Sequence, residues 1–278
     1  FYSGRLNGKV PLRLMAVPED PLPGSIARGQ SLRMGKFHFH GFNQPIAEVD
    51  YRKMSLPPAM ADYIHRFDWL RDLAASTNRA DGAPIAAEIA DGWLIANGQK
   101  PREPAWRVDN VAWRFINMAA ASPFLLSSKD PVYRSRVINH FARAARHLDQ
   151  QAPRAPNHFS RALGWAGVVA ASLLLPDGRV RRRVGEDGLE EALENAIFPD
   201  GGVVSRSPLQ LKELIAYLSL LQKCYAAVGE MVPAFLADAL GRAVPALLGL
   251  THSDGGLGAW QGSGHAGPDR IDALVSAS

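Results

Sequence analysis

Few positions in this chain combine the residue types that chemistry requires, and each also has a structural explanation. Asn157-His158 follows Pro156 and opens an apolar stretch. An amide beside an imidazole can donate hydrogen bonds to a carboxylate, but asparagine at such a place also caps a helix. Arg206 carries a planar guanidinium able to grip a carboxylate through two parallel bonds. Trp260 lies in the glycine-rich stretch 255–264, flanked by His252 and His265, where an exposed indole can stack on a sugar ring. Trp113 and Trp165 sit in apolar runs and read as core. Asp200 and Asp254 are the one inviting carboxylate pair for glycoside hydrolysis, yet each begins an Asp-Gly-Gly turn that explains it structurally. His38 and His40 stand alone on one strand face, so no metal and no cofactor is expected.

Composition narrows the setting. The 31 Lys and Arg nearly cancel the 27 Asp and Glu, a balance that permits a polyanionic partner without demanding one and argues against nucleic acid. The one dense basic run, 179–183, reads as a solvated loop between helices. A single Cys224 among apolar neighbours offers no disulfide and reads as core. No apolar run reaches membrane-spanning length, and the chain starts at Phe1 without a signal peptide, as expected of a fragment.

The elements that must position these residues change character near Pro58. Residues 1–57 are rich in Pro and Gly and strand-like, with alternation over 36–42 that predicts a hairpin. From there apolar positions follow helical spacing almost to residue 278. Leu211, Leu214, Ile215, Leu218, Leu221 and Tyr225 form one stripe, and Leu236, Leu240, Ala243 and Leu247 form the next, predicting an antiparallel pair. The stretch 162–175 is apolar all round, as in a helix buried between others. Asp200-Gly201-Gly202 recurs as Asp254-Gly255-Gly256 after 54 residues, the span of one helix pair. The expectation is an all-α chain: an incomplete (α/α) toroid of antiparallel helix hairpins over 58–278, after a short strand-like N-terminal extension over 1–57.

Several stretches resemble the helical domain of the heparinase II/III-like polysaccharide lyases, in that family's order. They are Phe67-Asp68-Trp69-Leu70-Arg71-Asp72-Leu73, then Trp93, Ala105-Trp106-Arg107, Trp113-Arg114-Phe115-Ile116-Asn117, and Asp200-Gly201-Gly202 leading into Ser207-Pro208. The resemblance implies a toroid followed by an antiparallel β-sandwich, which would be absent from this chain, and an acidic polysaccharide bound between them. It implies β-elimination on a uronate polymer, and a periplasmic or cell-envelope location with the cytoplasm as the alternative. By that resemblance Asn157 and His158 neutralise the substrate carboxylate, and Arg114 binds it from the Arg-x-x-Asn helix.

One departure bears on mechanism. Elimination requires the carboxylate to be neutralised, a base at C5 and an acid at the leaving oxygen, and the family's tyrosine follows the Ser-Pro turn. Gln210 occupies that position here; glutamine can hydrogen-bond a sugar but cannot act as a base. Tyr217 lies two helical turns further along, near the same face. Gln210 therefore joins Arg114, Arg206, Trp260 and His252 as a substrate-binding residue. Two rival readings follow, a catalytically degenerate glycan-binding domain and an α/α-toroid glycoside hydrolase using Asp200 and Asp254.

Overall fold

The computed structural model describes residues 2–176, 178–263 and 268–278, with side chains inside the last segment given for 271–276 and 278. In the N-terminal stretch lie α1 (Tyr2–Arg5), α2 (Ile26–Arg33), β1 (Lys36–Phe39) and β2 (Phe42–Pro45). The predicted hairpin forms: Phe39 faces Phe42, and the two turn residues His40 and Gly41 both have positive φ, 47° and 81°, which matches the twist of an antiparallel pair. Helix α2 was not anticipated in a stretch expected to be strand-like. It is capped by Ser25 and held by Asp72, which accepts from the Ser25 amide, the Arg28 guanidinium and the Tyr63 phenol. Leu6, Leu32 and Phe37 of this stretch are fully buried in the same core as the helices that follow.

The helical body runs through α3 (Pro58–His65), α4 (Trp69–Ser76), α5 (Arg79–Asn97), α6 (Val108–Ala120), α7 (Ser122–Leu125), α8 (Pro131–Gln151), α9 (His158–Leu174), α10 (Arg179–Ala196), α11 (Pro208–Ala227), α12 (Ala234–Gly249) and α13 (Pro268–Ala277). Their starts are written in the sequence. Asn78, Asp130, Asn157 and Ser207 each accept a backbone N–H of the first turn, and proline opens α3, α8 and α11, where no amide proton is needed.

Burial sorts these helices into two layers. α6, α9 and α11 are buried on nearly every side, whereas α10 buries only the stripe Gly185, Leu189, Ala192, Leu193 and Ala196, and α12 one face likewise. Close inner packing depends on glycine. A Cβ on Gly164 would lie 2.7 Å from a methyl of Val108, and one on Gly167 would lie 3.1 Å from the Ala112 Cβ, so α9 meets α6 almost backbone to backbone. The run 179–183 is not a loop but the first turn and a half of α10, because Arg is a good helix former and Arg182 pairs with Glu186 one turn on at 2.9 Å.

Direction follows from the connections. α10 packs back along α9 and α11 follows it through the turn 197–207, so α9 and α11 run the same way. α6 runs with them, since Arg66 touches Asp109 in its first turn and Glu213 in the second turn of α11. The inner helices α6, α9 and α11 therefore begin at one end of the toroid, called the mouth below. Among the described residues no helix is long and apolar enough to cross a membrane.

Candidate functional site

The 54-residue repeat is real in three dimensions. Ile197 bridges Val203 and Thr251 bridges Leu257; the backbone bond from Phe198 N to Gly202 O recurs from His252 N to Gly256 O. Asp200 and Asp254 each accept the amide two residues on, at 2.9 and 2.8 Å. Both aspartates thus do the turn chemistry their Gly-Gly setting implied, and Asp200 is held below the usual carboxylate range by the Gly202 amide and Arg206. The geometry gives neither the setting of a hydrolytic acid.

Beside the first of these turns, Arg206 and Trp260 line one cavity of about 290 Å³ at the start of α11. Ser263 fixes the later segment there. Its Oγ lies 3.0 Å from Ser207 Oγ and accepts the Leu209 amide at 2.9 Å. Arg206 is a non-glycine residue at φ 55°, a conformation that costs on the order of 1 kcal/mol. Its guanidinium lies 4.4 Å above the Phe198 ring and 3.2 Å from Asp200. That ion pair is more than half exposed, so an incoming carboxylate can compete for it. Trp260 is 44% exposed. Gln210 is half-buried in the first turn of α11, three residues before Glu213 and so on the same helix face. His252 is exposed in the second turn and does not line this cavity, and His265 lies outside the described residues.

Asn157 and His158 are exposed at the start of α9. Asn157 Oδ1 accepts the Ser160 amide at 2.8 Å, so the residue is a helix cap. Capping and binding are compatible, because the Oδ1 bond fixes the amide and leaves Nδ2, a double donor, at a helix N-terminus that favours anions.

Between these two helix starts the mouth holds a charged network that sequence reasoning missed. Arg66 donates to Asn110 at 2.8 Å, Asp109 at 2.9 Å and Glu213 at 3.2 Å; Arg107 donates to Asp109 at 2.7 Å and Asp62 at 2.9 Å. Phe67, fully buried at φ 61°, turns the chain so that Arg66 and Asp68 face this cluster. Asp68 accepts from Asn117 at 2.8 Å, and burial pushes its pKa up to about 6 against the pull of Arg66 and Arg71. Lys212 is held below the usual lysine range by burial and Arg28, with Glu213 and Asp68 opposing. The pKa of His40 in the hairpin is lowered by burial, Arg28 and Lys212. The available signal was polar residues interrupting apolar helix faces at Asp62, Arg66, Asp109 and Asn110.

Arg114 requires correction. It is fully buried, lies 4.3 Å above the Trp93 ring and donates to His140, to the His65 carbonyl and to the Ala105 carbonyl. Burial without a carboxylate partner brings its pKa down to about 9, so it organises the core and does not meet a ligand. Tyr217 is also buried, donating to the Ala112 carbonyl at 3.0 Å, which removes it as a stand-in for the family tyrosine. Trp113 packs edge-on against Tyr217 in the core. Among the described residues no group of His, Cys, Asp and Glu is arranged to hold a metal ion.

No family model matches the chain. FtsZ-localized protein C of Caulobacter vibrioides (strain NA1000 / CB15N) is 28% identical over 282 residues, covering 99% of this chain and 48% of that protein. Heparinase III superposes with a TM-score of 0.63 at 13% identity, over 91% of this chain and 43% of that one. The heparan sulfate lyase HepC of Pedobacter heparinus gives 0.60 at 14%, with the same shares. The chain thus has the helical toroid fold of heparinase III and spans about half the length of the proteins it matches.

Proposed function

We propose that this chain is the helical domain of a heparinase II/III-like protein that binds an acidic, uronate-containing polysaccharide across the mouth of the toroid. The observation that carries this reading is the meeting of Arg206 and Trp260 in one cavity at the start of α11. A guanidinium for a carboxylate and an indole for a pyranose face are the two groups such a polymer needs. Asn157 and His158, at the start of the neighbouring inner helix, would donate to the next carboxylate. Gln210 would hydrogen-bond a sugar hydroxyl.

On this reading the site around Arg206 and Asn157 supplies binding and carboxylate neutralisation but no phenol. Tyr51, Tyr63, Tyr133, Tyr217 and Tyr225 are buried or engaged in the core, Tyr2 lies in a separate cleft with its phenol on His147, and glutamine stands at position 210. Binding of a panel of acidic polysaccharides by calorimetry, with Arg206→Ala and Asn157→Ala, tests it. Loss of affinity in both variants supports the reading, and unchanged affinity refutes it.

A second reading, a working β-eliminating lyase, is favoured by Asn157-His158 standing exposed at the mouth. It requires a base and acid from beyond the described residues, such as the β-sandwich partner implied by the resemblance. Appearance of an unsaturated uronate product by ultraviolet absorbance decides for it. For location, the name of the Caulobacter relative supports a place with FtsZ, whereas a polysaccharide substrate suits the periplasm or cell envelope. Imaging the tagged protein with FtsZ separates the two.

A further inference from the structure

A larger cleft, of about 520 Å³, opens between the first turns of α6 and α9 and the end of α8. We infer that it is a second subsite, which takes an acidic sugar residue through Arg102 and Arg154 on its rim. The inference rests on the polysaccharide reading for its substrate class, but its residues are distinct from Arg206, Trp260 and Asn157.

Charge supports an anion. Neither Arg102 nor Arg154 has a carboxylate within ion-pair distance among the described residues, and Arg154 donates only to the Gln150 carbonyl. α6 and α9, which are 13 and 17 residues long, both begin on its wall, at Val108 and near Ser160, and their positive ends add to the rim. Glu103, the one carboxylate on the lining, is left for sugar hydroxyls.

The interior is built rather than incidental. Tyr2 is hydrogen-bonded to His147 Nδ1 at 2.9 Å and accepts from Gln151 Nε2 at 3.1 Å, which leaves its own proton for the imidazole. His147 is 96% buried, and burial together with Arg114 brings its pKa down to about 4, so the floor stays neutral while the rim is cationic. Trp106, only 3% exposed, closes the inner wall of the cleft, fixed by its indole N–H on the Asn97 carbonyl at 2.7 Å.

Position supports the same polymer. Arg107 lines the cleft and also pairs with Asp62 and Asp109 of the mouth network, which reaches Glu213 of α11 through Arg66, so one chain could run from the cleft toward the start of α11. A volume of this size lies within the range of sites for small ligands.

Glucuronate and glucose serve as probes, followed by NMR of the Tyr2 and Trp106 ring resonances in the whole protein. Glucuronate is expected to shift both rings and glucose neither. The exposed double variant Arg102→Gln/Arg154→Gln, checked for folding by circular dichroism, is expected to weaken glucuronate at least about tenfold. Rings that do not move, or a shift that survives the double variant, overturn the subsite. Polymer binding that persists without any ring shift removes the subsite and leaves the polysaccharide reading standing. A ring shift lost in the double variant, in a protein that binds no polymer, keeps the acidic-sugar subsite and removes the polysaccharide reading.

Discussion

Arg66 and Glu213 meet at 3.2 Å, tying the end of α3 to the second turn of α11 across 147 residues of sequence. The same guanidinium holds Asp109 at 2.9 Å, whose side chain is only 6% exposed. Removing the arginine leaves Glu213 without its partner and Asp109 with Arg107 alone. Arg66→Met is therefore expected to destabilise by about 3 kcal/mol, near the lower bound for breaking a buried charge network. Glu213→Gln, which keeps a hydrogen bond, is expected to cost about 1 kcal/mol. Urea denaturation of both variants checks the ranking.

Three buried histidines predict the acid response. Burial brings His65 down to about 3 and His147 down to about 4, and holds His140 well below its usual value. These groups favour the folded state when neutral. Their contribution is complete above about pH 6.5 and is lost as pH falls toward their folded values. Asp68 acts oppositely: raised from 3.8 to about 6, its contribution is present at low pH and lost as pH rises through that window. Asp68→Asn, which keeps the acceptor for Asn117, is expected to stabilise by about 1–2 kcal/mol at pH 7 and by nearly nothing at pH 4. Thermal melts at the two pH values measure this.

Arg114 separates core from site. Arg114→Met would leave the His65 and Ala105 carbonyls unpaired and remove the cation from the Trp93 face. A loss of about 2–4 kcal/mol of stability is expected, with glycan affinity unchanged in the fraction that folds. Calorimetry of the folded variant below its melting temperature tests the pairing of those two results.

Glycines with positive φ are not equivalent. Gly201 has φ 80°, and a Cβ there would fall 2.0 Å from the Arg242 carbonyl, whereas Gly229 at φ 71° faces open space. Gly201→Ala is expected to cost about 2–4 kcal/mol and Gly229→Ala about 1 kcal/mol. The difference shows in urea midpoints.

Much of the architecture was legible because it depends on local rules. Stripes at helical spacing located α11 and α12, the capping type of Asn157 marked the start of α9, and the Asp-Gly-Gly repeat at 54 residues located two matching turns. What escaped depends on contacts distant in sequence. Helix α2 is held by Asp72, 47 residues from its Ser25 cap, and the mouth network joins Asp62, Arg107 and Glu213. Arg114 shows the reverse error. The family resemblance marked Arg114 as substrate-binding, but its burial among Trp93, Trp106 and His140 follows only from how α5, α6 and α8 pack.

The central claim is that the mouth binds an acidic polysaccharide without supplying the tyrosine of a lyase. The most direct measurement gives the protein a panel of acidic polysaccharides and records calorimetric binding and ultraviolet absorbance of unsaturated product together. The account predicts binding to at least one polymer, weakened by Arg206→Ala and Asn157→Ala, with no rise in absorbance. A rise that is lost in Asn157→Ala, or the absence of binding to every polymer, would contradict it.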